Sequence, residues 1–295
     1  QVTGKTMKVR IYGVRGTSPV TGAEYMLYGG ETTSILVEGG KGEALALDAG
    51  SGLREMGAAL AEGSRDQVLI LLTHYHLDHL IGFPAFPPLM RDDWEIRVAS
   101  PRPGGFGVAE VFSRFLAQPF WPVSATAAPA RVEFIDLPPL GLDAPLEYGG
   151  LRVRWVPVHH PGGGFAYRVE EPATGSSFLF ATDFEYGESS PEEKELFRSL
   201  ATRGGYPDLA LIDGAYSEEE YEVRKGWGHN TWDGACALGQ VIGARRTMII
   251  HHSPESVDEI LMARELEARE LFPGAAFARA GMEFELKGGR HEPAR

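Results

Sequence analysis

Apolar positions follow two periodicities along this chain, and the switches between them divide it into elements. Met7 to Val14 alternates apolar with polar residues, as a strand with one buried face does, and ends in the Gly-rich turn Gly13-Val14-Arg15-Gly16-Thr17-Ser18-Pro19. Ile35–Glu38 and Glu43–Leu47 read as the next strands, and Leu53 to Ala61 as a short amphipathic helix. Val68-Leu69-Ile70-Leu71-Leu72 has no polar interruption and reads as a buried strand. Further strands are expected at Trp94–Ala99, Arg131–Ile135, Leu151–Val158, Phe165–Val169, Phe178–Thr182, Asp208–Asp213 and Met248–Ile250, with one last strand over Ala276–Leu286. Helices are expected at Val108–Ala117, after the Ser190-Pro191 cap, at Trp232–Ile242, and from a cap at Ser253 to about Leu271.

Strands precede helices in each half, and neither a short repeat nor a long linker divides the chain. The expectation is one domain over residues 1–295, with tails at 1–6 and 288–295, of the α/β (α+β) class with two sheets between helical layers. The Ala- and Pro-rich stretch to Ala130 fits no element and could serve as a lid or as the contact of a homodimer.

Composition narrows the function classes. The formal net charge is −13, and the densest charge runs are acidic, so a long nucleic acid is disfavoured as a partner. No apolar run reaches the ~20 residues that span a bilayer, so no membrane partner is expected. Cys236 is the single cysteine, which fits a reducing, cytoplasmic setting.

The chemistry-bearing residues gather at strand ends. Thr73-His74-Tyr75-His76-Leu77-Asp78-His79 follows the buried strand at 68–72. His74 and His76 are two apart, so an extended backbone turns both rings to one side, while Asp78 and His79 address a second point. Five strands end in a potential ligand: His74/His76, His160, Asp183, Asp213 and His251. Of nine histidines only His291 lies outside these loops and the His229 turn. Imidazole with carboxylate suits zinc first, with manganese or iron as alternatives.

His74-Tyr-His-Leu-Asp-His79 resembles the H-x-H-x-D-H signature of the metallo-β-lactamase fold superfamily, and the resemblance covers nearly the whole chain. It implies a four-layer αβ/βα sandwich and two divalent metal ions. One would be held by His74, His76 and His160, the other by Asp78, His79 and His251, with Asp183 bridging and Asp48 supporting the histidine loop. His160 is favoured over His159 because Pro-Gly-Gly follows it, and His251 over His252 because it continues the strand. Gly228-His229-Asn230-Thr231 is similar to an element of the phosphodiesterase branch, which includes ribonuclease Z and small cyclic phosphodiesterases. There the histidine meets the scissile phosphate, oriented by an acid that Asp213 matches, and Asn230 in place of the usual Ser leaves room for altered substrate contacts.

The resemblance therefore implies hydrolysis of a small phosphodiester, with Asp78, His229 and Asp213 as catalytic residues. Thioester or lactone hydrolysis on the same metals, transfer-RNA 3′ processing, and a metal-stabilised scaffold without turnover are the alternatives.

Overall fold

A computed structural model describes residues 6–122 and 127–289; the expected tails beyond those limits, and residues 123–126 of the Ala/Pro-rich stretch, lie outside the described residues. In chain order the strands are β1 (Met7–Gly13), β2 (Ser34–Glu38), β3 (Ala44–Leu47), β4 (Gln67–Leu71), β5 (Glu95–Ser100), β6 (Arg131–Asp136), β7 (Leu146–Tyr148), β8 (Leu151–Val158), β9 (Gly164–Glu171), β10 (Ser176–Ala181), β11 (Leu209–Asp213), β12 (Thr247–Ile250), β13 (Ala275–Phe277) and β14 (Glu283–Leu286). The helices are α1 (Leu53–Glu62), α2 (Val108–Phe115), α3 (Pro191–Thr202), α4 (Glu218–Glu222), α5 (Trp232–Val241) and α6 (Asp258–Leu271). Among the described residues the strands form two sheets of seven, ordered β14-β1-β2-β3-β4-β5-β6 and β13-β12-β11-β10-β9-β8-β7.

The two sheets face each other, and the period-two pattern decides what each face meets. In β4, Leu69 and Leu71 join the inner core with Val9, Ile11, Trp155, Tyr167, Phe178 and Leu211. Val68 and Ile70, on the opposite pleat, pack under α1 and α2 through Leu53, Met56, Val108 and Phe112. The second sheet repeats this arrangement, its outer face lying under α3, α5 and α6 through Phe197, Ala235 and Leu261. The result is the expected four-layer sandwich. Cys236 belongs to that outer core, and burial pushes its thiol up to about 12. No helix among the described residues is long and apolar enough to cross a membrane.

Two sequence expectations are corrected and one strand is added. Ala276–Leu286 is two strands, because Gly281 turns the chain at φ +84 and splits the segment. β13 pairs parallel with β12, and β14 pairs antiparallel with β1, so this stretch ties the two sheets together. Secondly, α6 starts at Asp258 with Val257 at its N-cap, not at Ser253. Arg15 explains the delay, since its guanidinium binds the carbonyls of Ser253 at 3.3 Å and Ser256 at 2.7 Å and holds them in a separate turn. Thirdly, the three-residue strand β7 escaped the sequence reading because it is too short for a period to register.

Strand direction fixes where the chemistry collects. β3 to β6 run parallel, as do β10 to β13, and β8 shares the direction of β10 because both are antiparallel to β9. Ligands of open α/β sheets bind outside the carboxyl ends of the strands. The ends of β3, β4, β8, β10, β11 and β12 carry Asp48, the His74–His79 loop, His160, Asp183, Asp213 and His251.

Candidate metal centre

Two clusters of potential ligands meet at this edge. His74, His76, His160 and Asp183 form one, and Asp78, His79, Asp183 and His251 the other, with the ligand atoms of each within 4.8 Å of one another. Asp183 belongs to both. His79 Nε2 stands 3.1 Å from Asp78 Oδ2 and 3.2 Å from Asp183 Oδ2. His251 Nε2 stands 3.1 Å from Asp183 Oδ1 and 3.4 Å from Asp78 Oδ2. On the other side, His74 Nε2 lies 3.6 Å from Asp183 Oδ1, and His160 Nε2 lies 3.2 Å from His76 Nδ1.

This donor set fits divalent metals. Ligand atoms bound at about 2.1 Å around a tetrahedral centre are separated by about 3.4 Å, and the distances here cluster at that value. The Nε2 atoms of His74, His79 and His251 are buried yet make no hydrogen bond within the protein. A buried imidazole nitrogen without a partner is costly unless something else meets it. These residues could hold two ions that share Asp183.

The electrostatics of the protein alone divide the histidines into two groups. Burial lowers His74 well below its usual range and carries His160 down to about 4, which leaves both rings as neutral donors. Burial would lower His79 and His251 as well, but carboxylates outweigh it: Asp183, Asp78 and Asp48 lift His79, and Asp183 above all lifts His251 to about 10. Asp183 and Asp78 resist the upward push of burial because imidazoles face them, and both stay well below the usual carboxylate range.

An outer ring of bonds orients these groups. Asp48 Oδ2 holds His79 Nδ1 at 2.8 Å, and its Oδ1 accepts the Thr73 amide at 2.8 Å, fixing the first residue of the histidine loop. Asp78 accepts the Thr17 amide at 2.8 Å, and its own carbonyl takes the Thr32 hydroxyl at 2.7 Å. Among the described residues five non-glycine positions have positive φ: Thr17, Asp48, Arg102, Asp183 and His251. Three of these are candidate site residues and a fourth caps one. Backbone strain concentrated in this way is a mark of functional sites.

The glycines of the first turn leave room for the rings. A Cβ on Gly16 would lie 2.1 Å from His251 Cε1. Gly16→Ala is therefore expected to displace that ring and cost turnover on the order of 10²-fold, as misplacement by about 1 Å does. Elemental analysis should show fewer ions per chain while the circular dichroism spectrum is unchanged.

The doublets separate cleanly in space. His159 is half-buried and lies 3.8 Å from Glu193, whereas His160 is buried and directs Nδ1 to the Gly228 carbonyl at 3.0 Å. His252 faces away from the clusters, with Nε2 on the Ala278 carbonyl at 2.8 Å and its ring stacked on Phe277.

His229 and Asp213 sit beside the second cluster. His229 Nδ1 meets Asp213 Oδ2 at 2.7 Å, and its ring stacks on His251 with centroids 4.8 Å apart. Asp213 is fully buried, and also accepts the amides of Asp183 at 3.0 Å, Ala215 at 3.2 Å and Asn230 at 3.2 Å. Asp213, His229 and His251 also form a compact trio. The short bond and the occupied lone pairs of Asp213 mark a hydrogen-bonded His–Asp pair rather than a third ion site. Asn230 Oδ1 accepts the Tyr186 amide at 2.9 Å, so this departure from the family pattern helps to hold the loop. Thr231 caps α5, its side chain accepting the Gly234 amide. Arg15 likewise is fully buried on the Gly29, Ser253 and Ser256 carbonyls and buttresses the loops.

Sequence reasoning missed Glu185. Its carboxylate takes the Tyr221 hydroxyl at 2.5 Å and the amides of Gly226 at 2.9 Å and Gly228 at 2.9 Å, which pins the loop that carries His229. No spacing rule reaches it, because its partners lie 36 to 43 positions away.

Comparison with known proteins agrees with this geometry. Residues 45–252 match the family model described as the beta-lactamase superfamily domain. The chain is 25% identical to a ribonuclease Z of Bradyrhizobium diazoefficiens over 285 residues, covering 83% of this chain and 90% of that protein. Among solved structures, the metallo-beta-lactamase fold protein YhfI from Bacillus subtilis superimposes with a TM-score of 0.69 at 20% identity, over 95% of this chain and 99% of that one. A diphosphatase of the PhnP family superimposes with a TM-score of 0.65 at 20% identity, over 96% and 100%. Identities this low carry the fold alone.

Proposed function

The chain belongs to the beta-lactamase superfamily of metal-dependent hydrolases, and we propose that within it this protein is a two-metal phosphodiesterase acting on a small, nucleotide-like phosphodiester. The observation that carries the reading is the His229–Asp213 pair beside the second cluster. Hydrolysis at an acyl carbon needs a nucleophile and an oxyanion partner. Both reactions gain from a proton donor at the leaving oxygen, but a phosphodiester carries a standing negative charge that a hydrogen-bond donor beside the cations would meet.

When bound, the two cations would supply charge that polarises a phosphoryl oxygen and lowers the pKa of a water molecule. His74, His76 and His160 would hold one of them, Asp78, His79 and His251 the other, and Asp183 would serve both. Zinc is the first candidate, with manganese or iron next. Asp213, anchored by three amides, orients the His229 ring by accepting the Nδ1 proton, so that the doubly protonated ring would donate its Nε2 proton to the leaving oxygen. Asp78, held by the Thr17 amide, is the carboxylate placed to accept a hydrogen bond from the attacking water and orient it.

The ribonuclease Z relative supports chemistry at phosphorus. A transfer-RNA substrate is disfavoured, because a net charge of −13 repels a long polyanion and a small phosphodiester contributes few charges to that repulsion. The deciding experiment offers bis-p-nitrophenyl phosphate, a 2′,3′-cyclic nucleotide, a thioester and a lactone to the protein loaded with zinc or manganese. Turnover of the phosphodiesters is expected to exceed that of the two carbon esters. Thioester or lactone turnover with none on either phosphodiester would overturn the assignment.

A further inference from the structure

The loop that delivers His229 also displays an indole for which the fold itself has no use. Trp227 is 59% exposed, the most of the five tryptophans; Trp121 is 37% exposed, and Trp94, Trp155 and Trp232 are buried at 1%, 2% and 8%. Its backbone is nevertheless held firmly. The glycines on either side have φ +85 and +90, conformations that favour glycine, and Glu185 grips the amides of both, at 2.9 Å each. Glu185 is itself 1% exposed, and a carboxylate is costly to bury. The Trp227 amide donates to the Arg224 carbonyl at 3.0 Å. One residue further on, the Gly228 carbonyl meets His160 Nδ1 at 3.0 Å, and His229 follows. A rigid mount, an exposed aromatic face and a place in the loop that meets His160 and carries His229 therefore coincide at a single residue.

We propose that Trp227 is a stacking platform for the planar base of the substrate, so that the phosphodiester cleaved here carries a nucleobase. The inference rests on the phosphodiesterase reading above, which it narrows to a base-bearing substrate class. A net charge of −13 gives an anionic substrate no general attraction, so affinity beyond the phosphate must come from local contacts. Stacking supplies it without cost in charge, and a fixed indole loses little entropy when a base docks.

The test compares 2′,3′-cyclic AMP with glycerol 1,2-cyclic phosphate, which has the same reacting group and no base. In Trp227→Leu the ratio of the two KM values is expected to shift against the nucleotide by roughly 5- to 150-fold, with kcat moving far less, and Trp227→Phe should restore most of the preference. In a separate arm, AMP should quench the tryptophan emission of the metal-free protein, and the quench should vanish in Trp227→Leu. An equal loss on both substrates, or a quench that persists in the Leu variant or is absent from the starting protein, overturns the proposal. If neither phosphodiester is hydrolysed, the phosphodiesterase reading fails, and the fluorescence arm alone then decides whether Trp227 binds a base.

Discussion

His229→Ala is expected to lower turnover of a phosphodiester by about 10²–10⁴-fold, the range that a positioned proton donor contributes, while both cations remain bound. The reasoning starts from Asp213. Its oxygens are already taken by three amides and by His229 Nδ1 at 2.7 Å, so Asp213 is committed to orienting the ring and not to holding an ion. Removing the ring leaves a small gap beside Tyr216 and His251, which flank it at centroid distances of 5.6 and 4.8 Å. The seven-residue geometry around Asp183 should persist only in so far as His251 keeps its place, and elemental analysis checks that directly. Two ions per chain with turnover lost would support the acid role. Activity within a few-fold of the starting protein would remove it. Substrates whose leaving group needs no proton, such as p-nitrophenolate, should suffer least, and that gradient is a signature that mere displacement of the loop would not produce.

Asp183→Asn carries the second large effect. Asp183 is the carboxylate common to both clusters, 3.1 Å from His251, 3.2 Å from His79 and 3.6 Å from His74. Its φ of +52 lies in the left-handed region, which Asn tolerates as readily as Asp. The substitution therefore removes charge with little change of shape or backbone preference. Loss of an outer partner typically costs 10–100-fold in metal affinity or activity, and loss of a shared inner ligand should exceed that range. Fewer than two ions per chain and a collapse of turnover are expected. Without metal the variant should also melt at a lower temperature, because the raised imidazoles of His79 and His251 lose a principal counter-charge in a buried setting. Full metal content in Asp183→Asn would show that the two clusters do not share this residue.

Much of this site was legible because sheet chemistry writes itself into sequence. A buried strand must be apolar on both pleats, so β4, β10, β11 and β12 stand out, and the polar residue that breaks each run marks the edge of the sheet. The histidines at 74 and 76 do meet, with ring centroids 4.5 Å apart, as the extended spacing requires. Less legible were features set by single long-range bonds. Nothing local to Ser253 announced that Arg15, 238 positions away, would take its carbonyl and delay α6. Nor did the short bend at Gly281 declare that the final segment would divide between two sheets.

The sequence by itself determined at which strand ends the candidate site residues lie, because periodicity and residue type are local properties. The tertiary structure alone decided which of them meet. Parallel strand direction brings the ends of β4, β8, β10 and β12 to one edge, left-handed backbone at Asp48, Asp183 and His251 aims the side chains, and Glu185 pins a loop that no motif connects to it. Only packing could separate His160 from His159 and His251 from His252, since adjacent residues of one type differ in nothing but the direction the chain turns them.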